Sequence, residues 1–151
     1  MPNFPIDGLK DPHVVHHFAL ELQGVVEGTF QECSGLSSTS EVIEHREQDP
    51  QGRQKITKIP GQLKFNDITL KRGVTDDLDL YRWRQDVIDG KIDLARKDGS
   101  VILQDQQDNE VYRFNFRRGW PTVYKSSDFK STDNSVALEE LTLAVEWIER
   151  A

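Results

Sequence analysis

Apolar residues return at every second position over much of this chain, and that period limits what it can fold into. Phe18, Leu20 and Leu22 alternate with His17, Ala19 and Glu21. Tyr112, Phe114 and Phe116 alternate with Arg113, Asn115 and Arg117. A β-strand sends successive side chains to opposite faces, so this spacing predicts half-buried strands. The first run resumes after Gly24 as Val26, Phe30 and Glu32, which makes Gly24 a hairpin turn and Gly28 a candidate bulge. Leu63 and Phe65 lie on one phase and Ile68 and Leu70 on the other. The slip at Asn66-Asp67 reads as one extra residue that bends a strand. Asp98-Gly99 predicts a hairpin between 92–96 and 101–104, Gln107-Asp108-Asn109 predicts the next turn, and Trp120-Pro121 predicts a strand break.

One segment carries the helical period instead. Leu80, Trp83 and Val87, with Tyr81 and Ile88 beside them, make a stripe over about 76–89. Thr75 or Asp76 can cap it, Asp76, Asp77 and Asp79 suit its dipole, and Gly90 can end it. The last segment, 136–148, fits both patterns: Leu141, Leu143, Val145 and Trp147 alternate, whereas Leu138, Leu141, Val145 and Ile148 are spaced as on a helix.

Residues 34–62 differ in kind, being rich in Ser, Thr, Glu, Gln and Arg. A disordered linker fits this composition. So does a long polar β-ribbon, about 37–60, with an acidic arm (Glu41, Glu44, Arg46, Glu47) facing a basic arm (Arg53, Lys55, Lys58) across an Asp49-Pro50-Gln51-Gly52 turn. Such a ribbon has almost no apolar face of its own, so it is expected to project from the core and find its partner elsewhere. The predicted class is mainly β, an antiparallel β-barrel or sandwich with one flanking α-helix. It divides into an extended, proline-broken N-terminal arm over 1–13 and a single domain over 14–151.

The search for chemistry yields no catalytic, cofactor or metal site. His13, His16 and His17 cluster without the further ligands that zinc requires. Cys33 stands alone in a strand, where a buried inert thiol is the ordinary case and no intrachain disulfide can form. Asp105, Asp108 and Glu110 lack the glycine of a calcium loop and read as a polar turn. Lys and Arg number 19 against 26 Asp and Glu, giving a net charge of −7, which disfavours nucleic-acid binding. Arg113, Arg117 and Arg118 stand near aromatic residues, but Phe114 and Phe116 occupy the opposite phase and point to the core. The N-terminus has no apolar run for a secretory signal, and no stretch is long enough for a membrane anchor. Synthesis in the cytoplasm is therefore expected.

Ile59-Pro60-Gly61-Gln62-Leu63-Lys64-Phe65 followed by Ile68-Thr69-Leu70-Lys71-Arg72-Gly73-Val74-Thr75 resembles the strand leading into the helix of the contractile phage tail tube protein family. Arg113-Phe114-Asn115-Phe116, Gly119-Trp120-Pro121 and the run from Asn134 to Leu143 follow in the family's order, so the resemblance covers about residue 14 to the C-terminus. It implies a β-barrel with one flanking helix, a final strand, and a homo-oligomer of stacked hexameric rings. The sheets of neighbouring subunits would join into a lumen wall, and the ribbon would reach adjoining subunits. Implied partners are sheath and baseplate proteins, and a cargo protein or DNA in the lumen. The resemblance implies a part of an assembled phage-tail-like particle, not an enzyme; release of such particles outside the cell is compatible with it. A monomeric β-barrel binding module for a small ligand or partner protein is the competing reading, and an enzyme with a site of scattered residues is a third.

Overall fold

The computed structural model describes residues 14–126 and 137–151. The expected arm over 1–13, which includes His13, and residues 127–136 lie outside the described residues. The chain opens with β1 (His17–Leu22) and β2 (Val25–Phe30), an antiparallel hairpin. Gln23 and Gly24 turn it with φ of 50° and 83°, the primed geometry that matches strand twist. Leu20 faces Gly28 while Glu21 faces Val26, so Glu27 is the extra residue of a bulge beside Gly28, as its position suggested.

After β3 (Glu32–Ser34) come β4 (Ser38–Gln48) and β5 (Gln54–Phe65), which pair only with each other as a two-stranded sheet. The ribbon alternative is the one realised. The slip at Asn66-Asp67 is not a bend within one strand: β5 ends at Phe65, and β6 (Ile68–Gly73) begins in the main sheet. The change of phase marks a change of sheet.

Helix α1 spans Asp79–Ile88 and starts later than the pattern predicts. The expected caps are used before it. Thr75 Oγ1 accepts the Asp77 N–H (3.3 Å), and Asp77 Oδ1 accepts the Asp79 N–H (2.9 Å). These short side chains hold turns that compete with helix, and Leu78 occupies the N-cap position without a side-chain bond. Leu80 and Trp83 are buried as expected, whereas Tyr81 and Ile88 are exposed. At the other end Gly90 (φ 82°) forms a Schellman cap, with Lys91 N–H on Asp86 O and Gly90 N–H on Val87 O.

The predicted hairpin at Asp98-Gly99 does not form. Ile92–Ala95 is a short helix, α2, and Asp98 and Gly99 lie inside β7 (Lys97–Gln104). Gly99 is there for close approach: a Cβ would meet the Glu21 carbonyl oxygen and lie 2.7 Å from Phe116 Cζ. Nor does Trp120-Pro121 break a strand, because β8 runs unbroken over Glu110–Ser126. Pro121 fits where the register against β9 shifts, between Pro121 and Val123. The final segment is two strands, β9 (Leu138–Ala144) and β10 (Trp147–Arg150), both paired with β8.

The main sheet has the order β2-β1-β7-β8-β9-β6-β3, with β10 also on β8. Its first and last strands are separated in sequence only by Gln31, whose N–H bonds Lys71 O (2.8 Å). The path must therefore curl on itself, enclosing Leu20, Phe30, Ile68, Leu70, Val101, Phe116, Leu141 and Leu143, each at most 1% exposed. Leu80 and Trp83 from α1 join this core.

Trp83 ties the helical layer together, its Nε1–H donating to Ala95 O at 2.6 Å. Trp83→Phe is expected to lower stability by about 1–3 kcal/mol, since the buried carbonyl loses its donor; a urea melt measures it, and an unchanged midpoint would contradict the role given to this bond.

Candidate subunit-contact surface

The ribbon's reach follows from its pairing. Ile43 opposes Ile59, Glu44 opposes Lys58, Arg46 opposes Ile56 and Glu47 opposes Lys55. By strand alternation Val42, Glu44 and Arg46 share a face with Pro60, Lys58 and Ile56. Ile43, His45 and Glu47 share the other with Ile59, Thr57 and Lys55. The turn is held by Asp49, whose Oδ1 accepts the N–H groups of Gln51 (2.9 Å) and Arg53 (2.7 Å).

The acidic arm thus lies opposite the basic arm, but the ion pairs run along one strand. Glu44 meets Arg46 (3.8 Å) and Glu47 meets His45 (2.6 Å). Arg53, Lys55 and Lys58 have no carboxylate partner among the described residues. Glu41 sits at the irregularity where Ser40 pairs with Leu63 but Val42 with Pro60. All seven expected contact residues are exposed on this one element.

The expectation of almost no apolar face is corrected. Val42 is 63% exposed, and Ile43, Ile56, Ile59 and Leu63 are also exposed, spread over both faces. The β-branched residues in both arms were the available signal. With no second layer over either face, they cannot be buried within one copy.

The ribbon leaves the main sheet at a tightly packed root. Gly35 has φ 86°, and a Cβ there would overlap the Asp67 carbonyl oxygen. Ser37 and Asn66 join the two exits through Asn66 N–H on Ser37 O (3.1 Å) and Asn66 Nδ2 on Ser37 Oγ (2.5 Å). Phe65 stacks on Trp147 with ring centroids 4.8 Å apart. Besides the ribbon, β2, β3 and β10 each pair on one side only within the described sheet.

The other sequence candidates fall apart in space. His17 Nε2 meets Asp108 Oδ1 (2.7 Å), His16 packs edge-on against His17, and His45 lies on the ribbon. No metal-holding group of His, Cys, Asp and Glu occurs among the described residues. Asp105 accepts from the Gln107 and Asn109 N–H groups, which makes the polar turn expected; the Asn109 N–H foremost holds its carboxyl below the usual range. Cys33 borders an open hollow of ≈ 530 Å³ with Lys71, Glu32 and Glu140, but burial pushes its thiol up to about 12, so it stays protonated. Among the described residues no helix is long and apolar enough to cross a membrane.

The sequence profile of the T4-like virus tail tube protein gp19 family matches residues 14–149. The chain belongs to this family. The tail tube protein is also similar to solved structures. A chain of the sheath-tube complex of an extracellular contractile injection system, PVC, in its extended state is 25% identical, with TM-score 0.73, over 97% of this chain and 93% of that one. A chain of the PVC sheath/tube terminator is 26% identical, with TM-score 0.74, over 95% and 99%. A type six secretion system protein shares the fold at 9% identity and TM-score 0.54, over 88% of this chain and 81% of that one. No curated protein sequence is matched, so the likeness rests on the family profile and the fold. A tail tube protein is a structural component.

Proposed function

We propose that this tail tube protein forms the inner tube of a contractile particle as stacked hexameric rings, enclosing a conduit for protein or DNA inside a sheath. The observation that supports this most is the ribbon, which exposes Val42, Ile43, Ile56, Ile59 and Leu63 and leaves Arg53, Lys55 and Lys58 without a carboxylate partner among the described residues. Burying that apolar area needs a second surface, and sister copies bring one with every subunit. The one-sided strands β2, β3 and β10 favour the same reading, because an unpaired edge is a template for another chain. Sheath and baseplate proteins are the further partners, in line with the sheath-tube complex that one matched chain comes from. The subunit is made in the cytoplasm and acts within the assembled particle.

In this arrangement Arg53, Lys55 and Lys58 of one copy meet carboxylates of the adjoining ring, with Glu41, Glu44, Arg46 and Glu47 on the facing arm. Opposite-sign surfaces fix register between subunits. Arg53→Glu with Lys55→Glu is expected to weaken stacking while the circular dichroism spectrum stays that of the wild type. Sedimentation and negative-stain microscopy measure it. Full-length tubes from the double variant would remove these residues from the interface, and a wild type that stays monomeric at high concentration would favour a binding module instead.

A further inference from the structure

The strands β2, β1, β7, β8 and β10 lie side by side, and their core face carries Leu20, Val101 and Phe116. The opposite face is built in rows set by the register. Thr29, Ala19, Ile102 and Arg113 stand abreast in one row, and Val26, Glu21, Ser100, Asn115 and Glu149 in the next. No helix or second sheet covers these rows among the described residues. Yet Ala19, Ser100 and Ile102 are only 2–7% exposed, and longer side chains, Glu21, Arg113 and Asn115 among them, stand beside them in the rows.

Those longer side chains are paired with one another. Arg113 reaches Glu21 (3.9 Å) and bonds Glu110, Arg117 reaches Glu149 (3.8 Å), and Ser100 Oγ donates to Asn115 Oδ1 (2.6 Å). The face is therefore close to charge-neutral, in a chain whose net charge is −7.

We infer that this face is the channel wall, and that Glu21, Glu110 and Glu149 mask the wall's arginines so that a passing chain is not held. The inference rests on the proposed tube. Its free edges, β2 and β10, are the lateral edges of this same sheet, so joining copies edge to edge extends this face around the ring. In a closed ring the inner circumference is the shorter one. The thin, bare side of the subunit suits it, and the side that carries α1 and α2 must take the wider outside. Six subunits per ring would otherwise place Arg113 and Arg117 repeatedly along the lumen, where unmasked guanidinium groups hold phosphate strongly.

Two measurements on assembled tubes test this, and microscopy first establishes that tubes are present, which separates failure of the inference from failure of the tube reading. Asn115→Cys is placed on the wall and Arg82→Cys on α1, where the side chain is 71% exposed. The protonated thiol of Cys33 keeps the background low. A small fluorescent maleimide is expected to label both, whereas a maleimide carried on a folded protein labels Arg82→Cys but reacts with Asn115→Cys slower by an order of magnitude or more. Equal rates with the bulky reagent would overturn the placement. In the second measurement, wild-type tubes are pelleted at low salt with a fluorescent single-stranded oligonucleotide, and none is expected to be retained. Tubes of Glu21→Gln, Glu110→Gln, Glu149→Gln are expected to retain it, with release by added salt. Retention by the wild type, or none by the triple variant, would overturn the masking role. If the triple variant fails to assemble, tubes of Glu21→Gln and of Glu149→Gln are pelleted in its place, and retention by neither would overturn the masking role.

Discussion

Arg72→Met is expected to lower the stability of the monomer by about 3–5 kcal/mol. Arg72 and Glu139 face each other across β6 and β9 and are 6% and 3% exposed. Arg72 Nε bonds Glu139 Oε1, and Tyr124 Oη donates to Glu139 Oε2 at 2.5 Å. The guanidinium lies over the Phe30 ring, 5.2 Å from its centroid, in space that a Cβ at Gly28 would take. One network thus joins β2, β6, β9 and β8 where the sheet curls toward its own start. Removing one partner leaves the other charge buried and unpaired, which is costlier than losing the pair. Glu139→Leu combined with Arg72→Met should therefore recover much of the loss. Urea denaturation of the two single variants and the double variant reads this directly. A single variant within about 1 kcal/mol of the wild type would contradict a buried, coupled pair.

The same network carries a pH signature. Burial first, then the bond to Glu139 and its charge, push Tyr124 up to about 12 from 10.0. Its folded value is above its unfolded one, so the contribution is fully present below about pH 10 and is lost as pH rises through about 12. Tyr124→Phe should flatten the alkaline fall in melting temperature, and an unchanged slope would mean that another group titrates there.

The second large effect is expected at Gly35. Gly35→Ala places a methyl group on the Asp67 carbonyl in a left-handed conformation, φ 86°, so the exits of the ribbon must part. The strain alone costs about 1–3 kcal/mol, and the overlap adds to it. The loss should appear twice: as a lower urea midpoint, and as fewer or disordered tubes even at a temperature where the monomer is folded. Gly52→Ala, at the ribbon tip with φ 76° and open space around it, is the comparison. It should show the strain without the loss of tubes, and equal loss from both would place the ribbon's aim elsewhere than at its root.

Much of this was legible in the residues because alternation and turn chemistry are local. The β1–β2 hairpin, the turn at the ribbon's tip, the Gly90 cap and the polar turn at Asp105 each depend on neighbours within a few positions. The failures share a cause. Asp98-Gly99 has the composition of a turn, but Gly99 answers to the Glu21 carbonyl and the Phe116 ring, which come from β1 and β8. Pro121 looked like a strand break and is accommodated by a register shift against β9. The helix began late because Thr75 and Asp77 bonded the turn before it.

The sequence by itself determined the strand period, an amphipathic helix at about 76–89 and, through the order of its motifs, the family, and it left 34–62 open between a linker and a ribbon. Only the tertiary structure decided which strands neighbour each other, that Arg72 and Glu139 are buried together, and that both ribbon faces carry uncovered apolar side chains. The reason is that period and capping are set by bonds between residues near in the chain. Burial and charge pairing depend on which distant strands the folded sheet brings side by side, and no spacing along the sequence records that.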